Sequence, residues 1–423
     1  MDIVKFIKEL NHERLRRRHE RHLPKASERR VKKVRAGIPA KVRALRKKDK
    51  IRVLFVVHEL ASWKTETLYL AMKKHPRFEV NIGITFSLEN TPSQNISAVG
   101  LLIDYLKEKS YDYTELAGSI LETQLCPDII FYQKPYYGVI ADRFFVKNKS
   151  NALFCYAQYA FNTLTGSWTN NKDLHLMAWQ LYYENEAAAE CAKKNSFIKG
   201  RNFRVTGLPF QDELMTPKEA YHDPWKKQDR EKKRIIWAPH HSIDPENYIH
   251  FSTFMSFADT MLELAEKYKD AVQFVFKPHP VLAKKLGVVW GEERRKAYYE
   301  RWDRMENGQL CEGKYIDLFK YSDAMIHDCC SFMVEYHYTL NPVMYLTGPC
   351  TEHDNFMPWA EEAFSLHYIG RTREDIEKFI INVIEGEDPM RKTREEFYRK
   401  NLVPPHGKTA CENIIDSILE LSE

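Results

Sequence analysis

Short apolar runs recur along this chain at a spacing that leaves few folds open to it. IRVLFVV (51–57), FEVNIGITF (78–86), CPDIIFYQ (126–133), ALFCYAQY (152–159) and FRVTGLP (203–209) form one series. RIIWAP (234–239), VQFVFKP (272–278), DAMIHD (323–328) and PVMYLT (342–347) form a second. The first, IRVLFVV, reads as a continuous apolar run, as in a strand buried on both faces of a parallel sheet. Segments of helical periodicity lie between them, at 99–109, from about Leu174 to Lys194, at 251–268 and from about Phe332. Three more helices are expected at 372–384, 390–400 and 408–421. Strands alternating with helices predict an α/β fold of two doubly wound parallel sheets. The polar stretch 216–233, with Pro217 and Pro224, is the expected linker, giving Rossmann-like domains over 51–215 and 230–423. At 423 residues and 43% apolar content, the chain has material for two such cores.

Residues 1–50 differ in texture. They hold 19 Lys and Arg against 6 Asp and Glu, and the rest of the chain holds 45 against 53. Ile3, Phe6, Ile7 and Leu10, and then Val31, Val34, Ile38, Val42 and Leu45, recur at helical spacing, with Pro39 interrupting the second set. Such a basic amphipathic arm suits an anionic membrane surface; a solvated or packing arm is the plainer alternative. Nucleic acid is not expected, because the arm has one aromatic residue and base stacking needs several. No apolar run reaches the length of a signal peptide or a bilayer span, and the eight cysteines show no C-x-x-C spacing. These features predict a cytoplasmic protein, peripheral at the inner face of the membrane.

Ligands of doubly wound sheets bind at the carboxyl ends of the strands. Three such ends in the second half are unusually polar: Pro239-His240-His241-Ser242, Lys277-Pro278-His279-Pro280 and His327-Asp328-Cys329-Cys330-Ser331. Converging on one crevice, they would suit a pyrophosphate. Lys277 brings charge; His240, His279 and His327 bring donors; Cys330 and Ser331 open a helix whose N-terminus favours anions. Ser242 belongs to the same set, and Glu335, one turn on, would accept from ribose hydroxyls. His241 is expected to face away as a structural residue, Asp328 either binds or ties down a backbone, and the two cysteines pack. Neither a Walker loop nor a G-x-G-x-x-G fingerprint is present, and the histidines lack metal-ligand spacing, so no metal or cofactor is expected. In the first half, His58 ends the first strand, where an acceptor-side base belongs. Gln133, Lys134, Pro135, Tyr136 and Tyr137 are candidates to line a cleft, and Asn162, Thr163 and Thr165 to bind a polyol.

The motifs WAPHHSI (237–243), FKPHP (276–280), SDAMIHDCCSFMVEY (322–336) and NPVMYL (341–346), with PDIIFYQKPY (127–136) and VTGLPFQD (205–212), resemble those of the CDP-glycerol glycerophosphotransferase family of teichoic-acid and capsule enzymes. The resemblance spans roughly residues 50–420. It implies a GT-B fold, a nucleotide-diphosphate donor in the C-terminal domain, an acceptor in the cleft and no metal. Family members often carry a His-Gly-x-Pro-Leu-Lys segment whose His is taken as the base; the corresponding region here reads CYAQYAFNT (155–163), without a His. The expected reaction moves glycerol phosphate or a similar polyol phosphate from a CDP-activated donor to a hydroxyl of a surface polymer or lipid-linked acceptor. His279 and His327 lead as the catalytic pair, with His58. The alternative is a GT-B glycosyltransferase using a nucleotide sugar; a non-catalytic scaffold has no need of converging histidines.

Overall fold

In the computed structural model the described residues are 25–136, 138–145, 152–165, 170–244, 251–348 and 356–422. The apolar positions 3, 6, 7 and 10 of the arm, and Tyr137, lie outside them.

The first sheet has seven parallel strands: β1 (Ile51–Val57), β2 (Phe78–Ile84), β3 (Tyr113–Glu115), β4 (Ile129–Tyr132), β5 (Leu153–Ala157), β6 (Gln180–Tyr183) and β7 (Phe203–Val205). Their order is β3-β2-β1-β4-β5-β6-β7, the reversal between β1 and β4 being the switch point of a doubly wound sheet. The second has six: β8 (Lys233–Ala238), β9 (Val272–Phe276), β10 (Gly308–Leu310), β11 (Ala324–His327), β12 (Val343–Leu346) and β13 (Tyr368–Gly370), in the order β10-β9-β8-β11-β12-β13. The central strands β1, β4, β5, β8, β9, β11 and β12 are buried along most of their length, which is why they are predominantly apolar. Phe55 stacks on Phe131 at 4.9 Å in the first core, and Trp237 packs between Phe254, Phe276 and Trp302 in the second.

Four departures from the sequence reading are instructive. The segment expected as one helix, 174–194, is a short helix (Asp173–Met177), β6 and a second helix (Glu186–Asn195). The helix from Phe332 is only four residues long before a 3₁₀ turn begins. The helix Lys25–Leu45 runs through Pro39 without ending there, and its apolar stripe is taken up: Val31, Val34 and Leu45 are buried. Arg30 pairs with Asp173, Arg35 donates to the carbonyls of Leu176 and Ala178, and Lys41 to that of Ala152. Finally, the chain divides into a unit ending at Asp212 and a unit Glu213–Val403, and residues from Pro404 onward return to the first unit. The compact unit therefore begins before the expected second domain, 230–423, and ends short of it.

The VTGLPFQD motif explains the return. Asp212 accepts from the N–H groups of Ala410 and Cys411 at 2.7 and 2.9 Å, satisfying the first turn of the helix Ala410–Ser422. Gly207 sits at φ +80°, where a Cβ would lie 2.8 Å from the Ala410 Cβ and 3.1 Å from the Pro404 Cβ. Only glycine allows that approach. Among the described residues, no helix is long and apolar enough to cross a membrane.

Candidate functional site

β8 and β9 are neighbours, and their carboxyl ends are laced together: Lys277 N–H donates to the Trp237 carbonyl at 2.8 Å and His279 N–H to that of Pro239 at 3.1 Å. This brings three imidazoles into one cluster. The His240 and His241 rings lie 4.2 Å apart, His241 and His279 4.3 Å, and His240 and His279 5.3 Å. All three are partly buried. His241, expected to face away, stands between the other two. The doublet lies beyond the last strand residue, where period-two alternation no longer sorts side chains to opposite faces.

The hydrogen bonds fix which nitrogen carries the proton on two of these rings, His240 and His279. The Ser242 hydroxyl accepts from Phe251 N–H and Ser252 N–H, both at 3.0 Å, which occupies its lone pairs. It therefore donates its own hydrogen to His240 Nδ1, 2.9 Å away, and Ser242 N–H points at the same nitrogen at 3.2 Å. His279 Nδ1 likewise accepts Val281 N–H at 3.1 Å. With Nδ1 accepting, each neutral ring carries its hydrogen on Nε2. Burial, reinforced by the neighbouring histidines and Lys285, holds His240 down to about 2; burial, then His241, Lys277 and Lys285, holds His279 to about 3. His241 is lowered too, by burial and then Lys285. The cluster is thus a set of neutral N–H donors in the positive field of Lys285, which stands on the helix Leu282–Trp290. Ser242 acts by orienting His240. One atom from each ring lies within 4.8 Å of the others, close enough to consider a metal ion. A metal on Nε2 would force hydrogen onto Nδ1, against the N–H groups of Ser242 and Val281, so the set fits an anion better than a cation.

The third strand end behaves differently. Asp328 is buried and receives His240 N–H at 2.5 Å, Thr253 N–H at 2.6 Å and the Thr253 hydroxyl at 2.9 Å. It ties β11 to the His240 turn, and burial raises its pKa to about 6 despite those donors. His327 is 0% exposed: Nδ1 accepts Cys329 N–H and Nε2 meets His367 Nε2 at 3.2 Å. Both nitrogens are spent inside the unit, so the expectation that His327 joins His279 in catalysis is corrected. Alternation along β11 sends residues 327 and 328 to opposite faces, and Tyr345 and His367 enclose the imidazole. Lys277 is buried, donating to the Gly313 carbonyl at 3.0 Å and lying over the Tyr315 ring. Glu335 is buried and accepts from the Tyr315 hydroxyl. Cys330 is partly buried and its thiol is raised by burial. Ser331 is exposed and makes no cap bond, and one helical turn offers a smaller dipole than the long helix expected.

In the first unit, His58 follows β1 and is buried, with no partner for Nε2. Burial lowers it to about 4, against Glu59, which raises it, and with Lys134, which lowers it. Gln133 braces the turn by accepting His58 N–H at 2.9 Å, and Lys134 pairs with Glu59 at 2.9 Å. Asn162 N–H donates to Glu184 at 2.6 Å, a carboxyl after β6 that burial raises to about 7. Glu184 was not singled out in the sequence because β6 was read as helix.

A family model described as CDP-glycerol:poly(glycerophosphate) glycerophosphotransferase matches residues 151–420. No curated protein matches the chain. Among solved structures, the wall teichoic acid polymerase TagF is similar with a TM-score of 0.59 at 13% identity, covering 95% of this chain and 100% of that one. A TagF structure soaked with CDPG gives 0.58 at 14%, with the same coverage. UDP-GlcNAc 2-epimerase from Neisseria meningitidis bound to UDP-GlcNAc gives 0.53 at 16%, covering 88% and 100%. At these identities the likeness shows the fold, a two-domain GT-B-like arrangement of parallel sheets. The family match covers most of the chain, and the protein belongs to the CDP-glycerol:poly(glycerophosphate) glycerophosphotransferase family, as an enzyme of that type.

Proposed function

We propose that this enzyme transfers glycerol phosphate from CDP-glycerol to a hydroxyl of a growing surface polymer or lipid-linked acceptor, with the His240–His241–His279 cluster as phosphate clamp. The observation that carries this reading is the pair of imidazoles, His240 and His279, held neutral with Nδ1 accepting and the hydrogen on Nε2. The acceptor oxygen forms a bond to the phosphorus that bears glycerol, the bond from that phosphorus to the bridging oxygen breaks, and CMP leaves. The Nε2–H groups donate to oxygens that gain charge on the way, the kind of preorganised donation that stabilises a transition state. Lys285 adds a positive field without holding one geometry. On the acceptor side, His58 is the proposed base: neutral at pH 7, with an unpartnered Nε2, it takes the hydroxyl proton. Catalysis needs no metal or cofactor, and the exposed cations of the helix Lys25–Leu45 hold the enzyme near an anionic membrane surface.

A thermal-shift panel of CDP-glycerol, CDP-ribitol and UDP-sugars, with CMP release measured in EDTA, tests the reading. CDP-glycerol should stabilise most, and turnover should persist under chelation. Stabilisation by a UDP-sugar alone would move the enzyme to sugar transfer. Loss in EDTA, restored by zinc, would show that the imidazoles bind metal despite their proton placement.

A further inference from the structure

The segment expected as a loose linker is anchored along the opposite edge of the second sheet. Trp225 is buried and its indole N–H donates to the Leu318 carbonyl at 3.3 Å; Lys226 N–H bonds Gln309 at 2.7 Å, and the Gln228 amide bonds the Glu306 carbonyl at 2.9 Å. Between this segment and the amino ends of β8, β9, β11 and β12 lies a cavity of about 770 Å³, reached by Lys218, Lys227, Lys232, Lys320, Gln273 and Asn341. That volume falls within the ~300–1,000 Å³ of ordinary ligand sites.

The walls favour anions. The ammonium groups of Lys218 and Lys227 have no partner among the described residues, Lys232 rests on the Gln228 amide oxygen at 2.8 Å, and Lys320 on the Leu214 carbonyl. None of the four is neutralised by a carboxylate. Arg230 and Arg234, also in the wall, are paired with Asp270 and Asp223 outside it. Against these six cations the lining holds three carboxylates, Asp229, Glu231 and Asp323, and Asp323 is occupied by Arg234 N–H and Lys233. Burial, opposed by Glu213, lowers Lys320 to about 8, so the side chain still carries its charge at pH 7.

The walls also discriminate among anions. Tyr321 is the single aromatic ring in the lining, and its hydroxyl is tied to the Lys218 and Tyr221 carbonyls, so no stacking platform for a base is formed. Lysines on flexible stems act as point charges and accept phosphates in many orientations. That suits a hydrophilic chain with a repeating charge better than one rigid molecule. β8 separates this edge from the histidine cluster by its six residues, about 20 Å at ~3.3 Å per residue.

We propose that this cavity is a second, non-catalytic site that holds a phosphodiester stretch of the polymer, remote from the reacting terminus. The proposal rests on the reading that the product is a polyol phosphate chain. The test uses the full protein and a fluorescent synthetic glycerol phosphate oligomer, followed by anisotropy. Lys218→Glu/Lys227→Glu should bind the oligomer more weakly by about tenfold or more, as expected when attraction becomes repulsion at two points. The thermal shift with CDP-glycerol should be unchanged, and polymer products should be shorter. Lys218→Gln/Lys227→Gln should fall between, which separates charge from misfolding. Equal oligomer binding by wild type and the Glu variant, or none by wild type, overturns the proposal. So does displacement of the oligomer by inorganic phosphate at matched phosphate-group concentration, since a single-phosphate site would then suffice. Oligomer binding that responds to these lysines in a protein releasing no CMP from CDP-glycerol would leave this site standing and sink the proposed reaction instead.

Discussion

A histidine serves an anion best when one nitrogen is already committed and the other must therefore donate. His279 meets that condition through Val281 N–H, with Pro278 and Pro280 restricting the backbone on either side. His279→Ala should lower kcat by roughly 10²–10³, about 3–4 kcal/mol of transition-state stabilisation, with little change in melting temperature. His279→Gln should recover part of the loss, because an amide N–H also donates. Steady-state CMP release decides, and a wild-type rate for the Ala variant would show that the ring only fills space. His327→Gln should do the reverse: its ring lies between Cys329 N–H and His367, so the loss should appear in melting temperature. The buried rings also set a pH dependence. Burial lowers His58 to about 4 and His175 and His367 to about 3, and drives His327 and His337 down as well. Below the usual 6.5 the unfolded chain binds protons that the folded chain refuses, so their contribution is present above 6.5 and is lost as pH falls toward 3. Asp328, raised to about 6, works oppositely, since the folded carboxyl takes its proton first between pH 6 and 4. Glu184, raised to about 7, and Asp212, also raised by burial, act in the same sense as Asp328, but the buried histidines outnumber these carboxyls, so the urea midpoint should be lower at pH 5.5 than at 7.5. An unchanged midpoint would mean that the imidazoles are not held neutral.

At the scale of the element, the turn after β7 is the tightest constraint. Gly207→Ala adds a Cβ against Pro404 and Ala410 at a left-handed φ, and should cost about 1–3 kcal/mol. Circular dichroism melts of the purified variant measure it, and a neutral result would show that the 404–410 crossing yields. Strands such as β1 were legible because burial on both faces leaves an apolar run, unbroken here from Val53 to Val57. β6 was not, because Leu174, Leu176, Met177, Ala178, Leu181, Tyr182 and Tyr183 are all buried, and a uniformly apolar stretch carries neither period. β3, β10 and β13, three residues each, are too short to show a pattern. The site was legible to the same degree. Its place at the ends of β8 and β9 followed from topology, whereas the direction of each ring did not. His327 and His241 exchanged roles because alternation still holds at His327, the last residue of β11, but no longer sorts side chains beyond Ala238 of β8, and nothing in composition marks where a strand stops.

At the scale of the whole molecule, the basic arm changes meaning. Its apolar stripe over residues 31–45 is buried on the first unit, so insertion into a bilayer is not what that stripe is for. Lys32, Lys33, Arg46 and Lys47 remain exposed, and the proposed electrostatic attachment rests on such residues, at about 1 kcal/mol each near an anionic leaflet. Reversing these four charges to Glu should release the enzyme from anionic liposomes while leaving its melting temperature near that of wild type. Deleting residues 1–48 should instead lower the melting temperature, because Arg30, Arg35 and Lys41 lose their partners with it. Undiminished liposome binding by the reversed variant would place attachment elsewhere. The return of residues 404–422 to the first unit has a consequence for biosynthesis. Domains ordinarily mature in the order in which they leave the ribosome. Here the unit that starts first is finished last: when residue 403 emerges, the second unit is whole, while the first still waits for the helix that Asp212 will cap. A nascent chain arrested at that point should resist protease over 213–403 and remain cleavable before it.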